Sequence, residues 1–236
     1  MELPINKIIC GDCIEVMREW PDKCVDLVLT DPPYGINADR EQNKAALQRI
    51  KADGNSKAGR GWKLYPQTAW DENRPQKQYF DSMIRISKIS IIWGGNYFAD
   101  LLPASMGWLM WDKRQRGFSL ADGELAWTSE RKALRIFDYS RAEALQDFRT
   151  HPTQKPVALG LWILGKYSKP DDLILDCYCG SGSFCVAAKM LGRRYIGIDI
   201  SSEYCKIAQE RLDAVDTGVP VKETRQGQMA LFPSGK

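Results

Sequence analysis

The chain has 236 residues, 44% hydrophobic and 27% charged, which suits one large domain, or one domain with an inserted lobe, around a real core. No apolar run approaches the roughly 20 residues of a membrane-spanning helix, and Met1-Glu2-Leu3-Pro4 lacks the basic and apolar regions of a secretory signal, so a cytoplasmic protein is expected. The net charge of +3 decides nothing about partners, and seven cysteines, odd in number and never spaced C-x-x-C, beside the single His151, read as free thiols and not as zinc ligands.

In chain order, residues 5–10 read as a short strand and Gly11-Asp12 as a turn, with Asp12 placed to cap a helix over 13–19. Val25–Thr30 is an apolar, β-branched run of the length of a buried parallel strand. It stops at Asp31-Pro32-Pro33-Tyr34, where two prolines forbid further ladder hydrogen bonds. Residues 37–77 follow, weakly periodic and rich in Gly, Asn, Gln and Ser, with Trp62, Tyr65 and Trp70 among them. Nine basic residues there (Arg40, Lys44, Arg49, Lys51, Lys57, Arg60, Lys63, Arg74 and Lys77) stand against five acids, so this stretch alone carries +4. It reads as a solvated loop, as an insert that lays cations along nucleic-acid phosphates and orders on binding, or as both.

A helix over 78–87 leads to a strand over 89–93, then to Gly94-Gly95-Asn96 and a short helix. Residues 107–111, Gly123–Thr128 and 133–139 are expected as further strands, Val157–Tyr167 as a helix and Leu173–Asp176 as a strand. Gly180-Ser181-Gly182 opens a helix to about Leu191; a strand over 195–199 and an amphipathic helix over 201–214 follow. The reading is one domain over residues 1–214 and a flexible tail over 215–236. Strands alternating with helices imply an α/β fold with a mainly parallel, doubly wound sheet.

Two places carry chemistry. The strand Leu173–Asp176 runs through Cys177-Tyr178-Cys179 into the Gly180-Ser181-Gly182 turn, where glycine lets backbone approach a ligand and the helix end offers free N–H groups. Asp199, about 20 residues on at the end of the next strand, can accept hydrogen bonds from both hydroxyls of a ribose. A dehydrogenase is the obvious alternative, but Cys185 stands where its third glycine would be. The other place is Asp-Pro-Pro-Tyr at a strand's carboxyl end, the edge where such sheets bind ligands. An exocyclic amine on a base is a poor nucleophile because its lone pair is delocalised into the ring. Two acceptors aimed at its N–H bonds, here the Asp31 carboxylate and the Pro32 carbonyl, would hold it and favour the nucleophilic form. Pro33 stiffens the turn, and Tyr34 offers a flat face for a base rotated out of a duplex.

Three segments in order, Gly11-Asp12-Cys13 with Asp31-Pro32-Pro33-Tyr34-Gly35, then His151-Pro152-Thr153-Gln154-Lys155-Pro156, then Asp176 with Gly180-Ser181-Gly182 and Gly197-Ile198-Asp199, resemble the amino-methyltransferases of DNA. The order resembles their circularly permuted β class, in which the catalytic motif precedes the glycine motif. The resemblance implies a Rossmann-like, circularly permuted methyltransferase fold that uses S-adenosylmethionine and acts on double-stranded DNA by base flipping, as in restriction-modification systems of bacteria and phages. It implies Asp12 and Cys13 near the cofactor's adenine, Asp199 on its ribose, and Tyr178, Gly180 and Gly182 lining the methionine end. Thr153, Gln154 and Lys155 would fix its carboxylate and amino group, and Asp31, Asp176, Ser181 and Ile200 complete the residues implied to bind it. His151 would be structural and not a general base. The departures are Asp199 where Glu is commoner, Tyr178 where Phe is frequent, and Cys179. Methylation at cytosine C5 needs a Pro-Cys nucleophile, which the sequence lacks. Asp-Pro-Pro-Tyr goes more often with adenine N6 and Ser-Pro-Pro with cytosine N4, so N6-adenine is expected, with N4-cytosine or an RNA or protein amide as alternatives; a catalytically silent DNA-binding module is the bland reading.

DNA would be contacted by the 37–77 insert, through residues such as Arg40, Lys57 and Arg60, and by a recognition segment over 112–149 that opens with Lys113, Arg114 and Arg116. So little recognition protein fits a short target, loose specificity or a second subunit, as in a homodimer. In the tail, Gln228-Met229-Ala230-Leu231-Phe232 resembles the short peptides that dock bacterial replication proteins on the sliding clamp, or it packs on the domain.

Overall fold

The computed structural model describes residues 2–37, 71–117, 121–144 and 154–218. Eight strands form one sheet: β1 (Lys7–Cys10), β2 (Val25–Thr30), β3 (Ser87–Trp93), β4 (Trp108–Asp112), β5 (Gly123–Thr128), β6 (Arg135–Asp138), β7 (Leu173–Asp176) and β8 (Arg194–Asp199). Their order is β1-β8-β7-β2-β3-β5-β4-β6, and β5 alone runs antiparallel to its neighbours β3 and β4. From β7 the chain steps outward to β8; from β2 it steps the other way to β3. The direction therefore reverses between β7 and β2, the crevice where open α/β sheets bind ligands. The expected doubly wound, mainly parallel sheet is present.

Helices cover both faces, which is why β2 and β3 read as nearly unbroken apolar runs. Leu27, Leu29, Ile91 and Trp93 pack with Leu159, Ile163 and Leu164 of α3 (Val157–Tyr167) and Phe184 and Ala187 of α4 (Ser183–Met190). The alternate residues Val28 and Ile92 pack on the other face with Met17 of α1 (Cys13–Met17) and Phe80, Met83 and Ile86 of α2 (Lys77–Ile86). Each fully buried aliphatic side chain contributes about 1.5–3 kcal/mol, so the central strands are anchored from both sides. No helix among the described residues is long and apolar enough to cross a membrane.

Several boundaries differ from expectation for local reasons. The first helix ends at Met17 and not at residue 19, because Pro21 disfavours helical backbone at Trp20. The last helix, α5 (Ser202–Thr217), runs three residues past 214 into the segment read as tail. Gly218 ends it in the left-handed conformation (φ 67°), its N–H bonded to the Ala214 carbonyl. The described part of the segment 112–149 contains β5 and β6 of the sheet. At the far end of the insert, Asp71 is buried and accepts the Gly35 N–H, closing residues 35 and 71 onto each other.

Candidate active site

The two chemical motifs meet because β2 and β7 are neighbours. Leu27 pairs with Ile174 and Val28 with Leu175, so both strands end at the same level. There the Thr30 hydroxyl donates to Asp176 Oδ1 (2.8 Å) and accepts the Tyr178 N–H (3.1 Å), a buried clasp between the motifs. A cavity of about 670 Å³ crosses the carboxyl ends of β1, β8, β7 and β2. Gly11, Asp12 and Cys13 line it after β1, and Asp199 and Ile200 after β8. Asp176, Tyr178, Gly180 and Ser181 line it after β7, and Asp31 and Pro33 after β2. Gln154 and Lys155, preceding α3, complete that wall.

The glycine turn is held by Asp199, which accepts the Gly180 N–H (2.8 Å) and the Ser201 N–H (2.9 Å). Gly180 (φ 49°) could carry no side chain without strain, and an added Cβ there would meet no protein atom within 4 Å, so its backbone faces open space at the cavity. Gly182 is different. It does not line the cavity; its Cβ would lie 2.8 Å from Ala208 Cβ, so it lets the turn close on α5. Asp12 caps α1 through the Ile14 N–H and accepts the Tyr79 hydroxyl (2.9 Å), linking α1 to α2. Ile200 is 78% exposed, an apolar side chain at the cavity wall that a flat apolar ligand would cover.

At the β2 end, Asp31 Oδ1 accepts the Tyr34 hydroxyl (2.6 Å) and Oδ2 accepts the Lys155 ammonium. Lys155, only 5% exposed, also donates to the Tyr34 oxygen (3.1 Å) and stands 3.0 Å from Glu124 of β5. Glu124 in turn pairs with Lys113 (2.5 Å). The sequence places Lys155 on a ligand's carboxylate; in the structure its charge lies between two protein carboxylates. Burial pushes the Asp31 carboxyl up, against the pull of Lys155. Burial raises Glu124 too, but Lys155 and Lys113 outweigh it and bring that carboxyl down to about 2. Burial would lower the Lys155 ammonium, yet Asp31 and Glu124 raise it, so it stays charged. Asp176 is pushed up to about 8 by burial, although the Thr30 hydroxyl opposes it.

Tyr34 stands against Gly94, where an added Cβ would lie 2.2 Å from the ring. Tyr97, 38% exposed, stacks on Tyr34 at 4.7 Å and 15°, and Phe98 meets it edge-on. The Tyr34 ring thus accepts a flat partner. Pro32 and Tyr34 do not line the cavity itself; they stand at its Asp31 end. Of the proposed DNA-contacting cations, Lys113 pairs with Glu124, Arg114 with Asp138, and Arg116 bidentately with Asp112 (2.7 and 2.9 Å). Arg40, Lys57, Arg60, His151, Thr153 and the 228–232 segment lie outside the described residues.

A model of the DNA methylase family matches residues 88–210, just over half of the chain. The chain belongs to this family. It is 29% identical over 239 residues to the YubD protein of Escherichia coli (strain K12), covering 89% of this chain and 92% of that one. Its fold is similar to that of M1.HpyAVI in complex with S-adenosylmethionine, with TM-score 0.54, 20% identity, and 88% and 98% of the two chains covered. It is similar also to the PvuII DNA methyltransferase (cytosine-N4-specific), with TM-score 0.58, 14% identity, and 93% and 89% covered. These likenesses establish the Rossmann-like methyltransferase fold. In this DNA methylase the family match starts in β3, so Asp31 lies outside it and joins the glycine turn through the β2–β7 pairing.

Sequence reasoning missed two groups of this site. Glu124 sits near the start of β5 and has no motif around it. Arg74, Gln76 and Tyr79, just before or within the first turn of α2, also line the cavity. The only signal for them was position: they end the long insert and open a helix beside the first motif.

Proposed function

We propose that the protein transfers a methyl group from S-adenosylmethionine to the N6 amine of adenine in DNA. The observation that carries this reading is that Asp31 lines the same cavity as the Gly180 turn and Asp199. A nucleotide-type site and an acceptor for an amine thus share one space. The residues present fit the cofactor: the cavity volume lies within the range of small-molecule sites, Asp199 offers acceptors for a ribose, and Ile200 offers an apolar cover for a base. The backbone at Gly180 leaves room that a side chain would fill. Bound there, S-adenosylmethionine supplies an electrophilic methyl group on a sulfonium, and no covalent enzyme intermediate is needed.

Asp31 and the Pro32 carbonyl accept the two N–H bonds of the target amine, so its lone pair turns away from the ring plane and toward the methyl donor. Tyr34 stacks on the extruded base, as Tyr97 already does on its ring. Asp31, whose carboxylate lines the cavity, would also favour the positive charge of a sulfonium bound there. The aspartate in first place of Asp31-Pro32-Pro33-Tyr34 favours adenine over cytosine N4, the base named for the PvuII neighbour, by the resemblance drawn from the sequence.

The test is transfer of labelled methyl from S-adenosylmethionine to unmethylated DNA, with Asp31→Ala alongside. Label in DNA from the wild type and a drop of at least about 100-fold in the variant is expected. Label in RNA or protein but not in DNA would overturn the reading.

A further inference from the structure

Lys155 is shared by two carboxylates, and only one of them belongs to a motif. We propose that Glu124 is a positioning residue for methyl transfer, taking the Lys155 ammonium over from Asp31 when the substrate amine binds there. The proposal rests on the reading of Asp31 as amine acceptor. Three observations carry it. Glu124 does not line the cavity, so it stands back from the space that would hold the cofactor. Its Oε2 is buried 3.0 Å from Lys155, and no other donor satisfies it among the described residues. And both Asp31 oxygens already accept a donor, Oδ2 from Lys155 and Oδ1 from the Tyr34 hydroxyl.

A carboxylate holding a buried ammonium is a weaker acceptor for a neutral amine, and at low dielectric a lone ion pair of that kind opens reluctantly. A second carboxylate on the far side of Lys155 removes the barrier. The ammonium swings onto an acceptor already in place, and no charge is left unpaired. Lys113 balances the set, giving two cations and two anions. Strand pairing fixes this geometry: Glu124 lies opposite Trp111, next to Gly123, whose added Cβ would lie 2.6 Å from the Trp111 carbonyl. The adjoining Leu125 carbonyl accepts the Gly94 N–H beneath Tyr34. The titratable groups facing Asp31 are Tyr34 from its own loop, Lys155 before α3, Glu124 on β5 and Asp176 on β7, with Tyr97 over Tyr34.

The experiment measures single-turnover methyl transfer to unmethylated genomic DNA at saturating S-adenosylmethionine across pH, with cofactor binding measured separately by equilibrium dialysis. In Glu124→Gln, Lys155 stays on Asp31, and the rate falls about 100-fold, the cost of a small misplacement at a reacting centre. Loss of the Glu124 charge also lowers the Asp31 carboxyl, so the acid limb of the rate moves to lower pH. Cofactor affinity stays at the wild-type value. Glu124→Asp, which keeps the charge, leaves the acid limb in place. Should Glu124→Gln not fold, Lys113→Met tests the same balance with opposite sign. Glu124 then holds Lys155 more strongly, and the acid limb moves to higher pH. An unshifted acid limb, or loss of cofactor binding together with rate, would overturn the proposal. A wild type that labels no DNA would instead overturn the functional reading and leave no rate to compare.

Discussion

Gly94 is the position where one atom decides most. It holds φ 71°, and a Cβ there would lie 2.2 Å from Tyr34 Cε1. Gly94→Ala therefore displaces the aromatic ring and, through its hydroxyl, the Asp31 carboxylate. Methyl transfer is expected to fall about 100-fold while S-adenosylmethionine affinity is kept, because Gly94 lies outside the cavity lining. An equal loss of both, read by activity and equilibrium dialysis, would contradict that geometry. At this scale the sequence was legible where chemistry is local. Asp31, Pro33 and the Gly180 turn sit in short motifs at strand ends, and the structure brings Asp31, Asp176 and Asp199 to one cavity. Glu124 was not legible. It is 93 positions from Asp31 and 31 from Lys155, and a lone Glu outside any motif is ordinarily a solvated side chain. Gly182 was legible as a required glycine, but its reason is Ala208 of α5, a tertiary contact with no local mark.

Helices show the same division between local signal and packing. The apolar period of the last helix marks its presence but not its end, which is set by Gly218 in the left-handed cap. Helix α3 carries two glycines with opposite consequences. An added Cβ at Gly160 would lie 2.7 Å from Ala187 Cβ and 3.1 Å from Phe184 Cδ1, whereas one at Gly165 meets nothing within 4 Å. Helix propensity favours alanine at both by about 0.5–1 kcal/mol. At Gly160 overpacking costs about 1–3 kcal/mol and outweighs it, because α3 and α4 cross there. Gly165→Ala is expected to raise Tm and Gly160→Ala to lower it, each by about 2–4 °C per kcal/mol in a chain of this size. Thermal unfolding of the two variants checks the pair, and the same sign for both would contradict the packing described.

For the molecule as a whole, the decisive arrangement is the meeting of β2 and β7 at the point where the sheet order reverses. The alternation of strands and helices made a doubly wound sheet legible. Strand order was not, because a pairing as distant in sequence as Leu27 with Ile174 leaves no periodic trace. The crevice at this point concentrates buried acid, and Asp176 shows the consequence. Its carboxyl is pushed from 3.8 to about 8 by burial, so between those pH values the folded protein holds a proton that the unfolded chain has released. The stability from this group is fully present below about pH 3.8 and is lost as pH rises through about 8. Asp176→Asn removes that dependence while keeping an acceptor for the Thr30 hydroxyl. Without S-adenosylmethionine, its Tm relative to wild type is expected to climb from pH 5 to pH 8 and level off above; a constant difference would contradict a buried, protonated Asp176.

The central claim, that this crevice methylates the exocyclic amine of adenine, is tested most directly by identifying the modified nucleoside. DNA incubated with the protein and S-adenosylmethionine is digested and its nucleosides are separated by mass spectrometry, with Asp31→Ala in parallel. The account expects N6-methyladenine, absent from the variant. N4-methylcytosine in its place would contradict the base assignment, and DNA without any methylated amine would contradict the account itself.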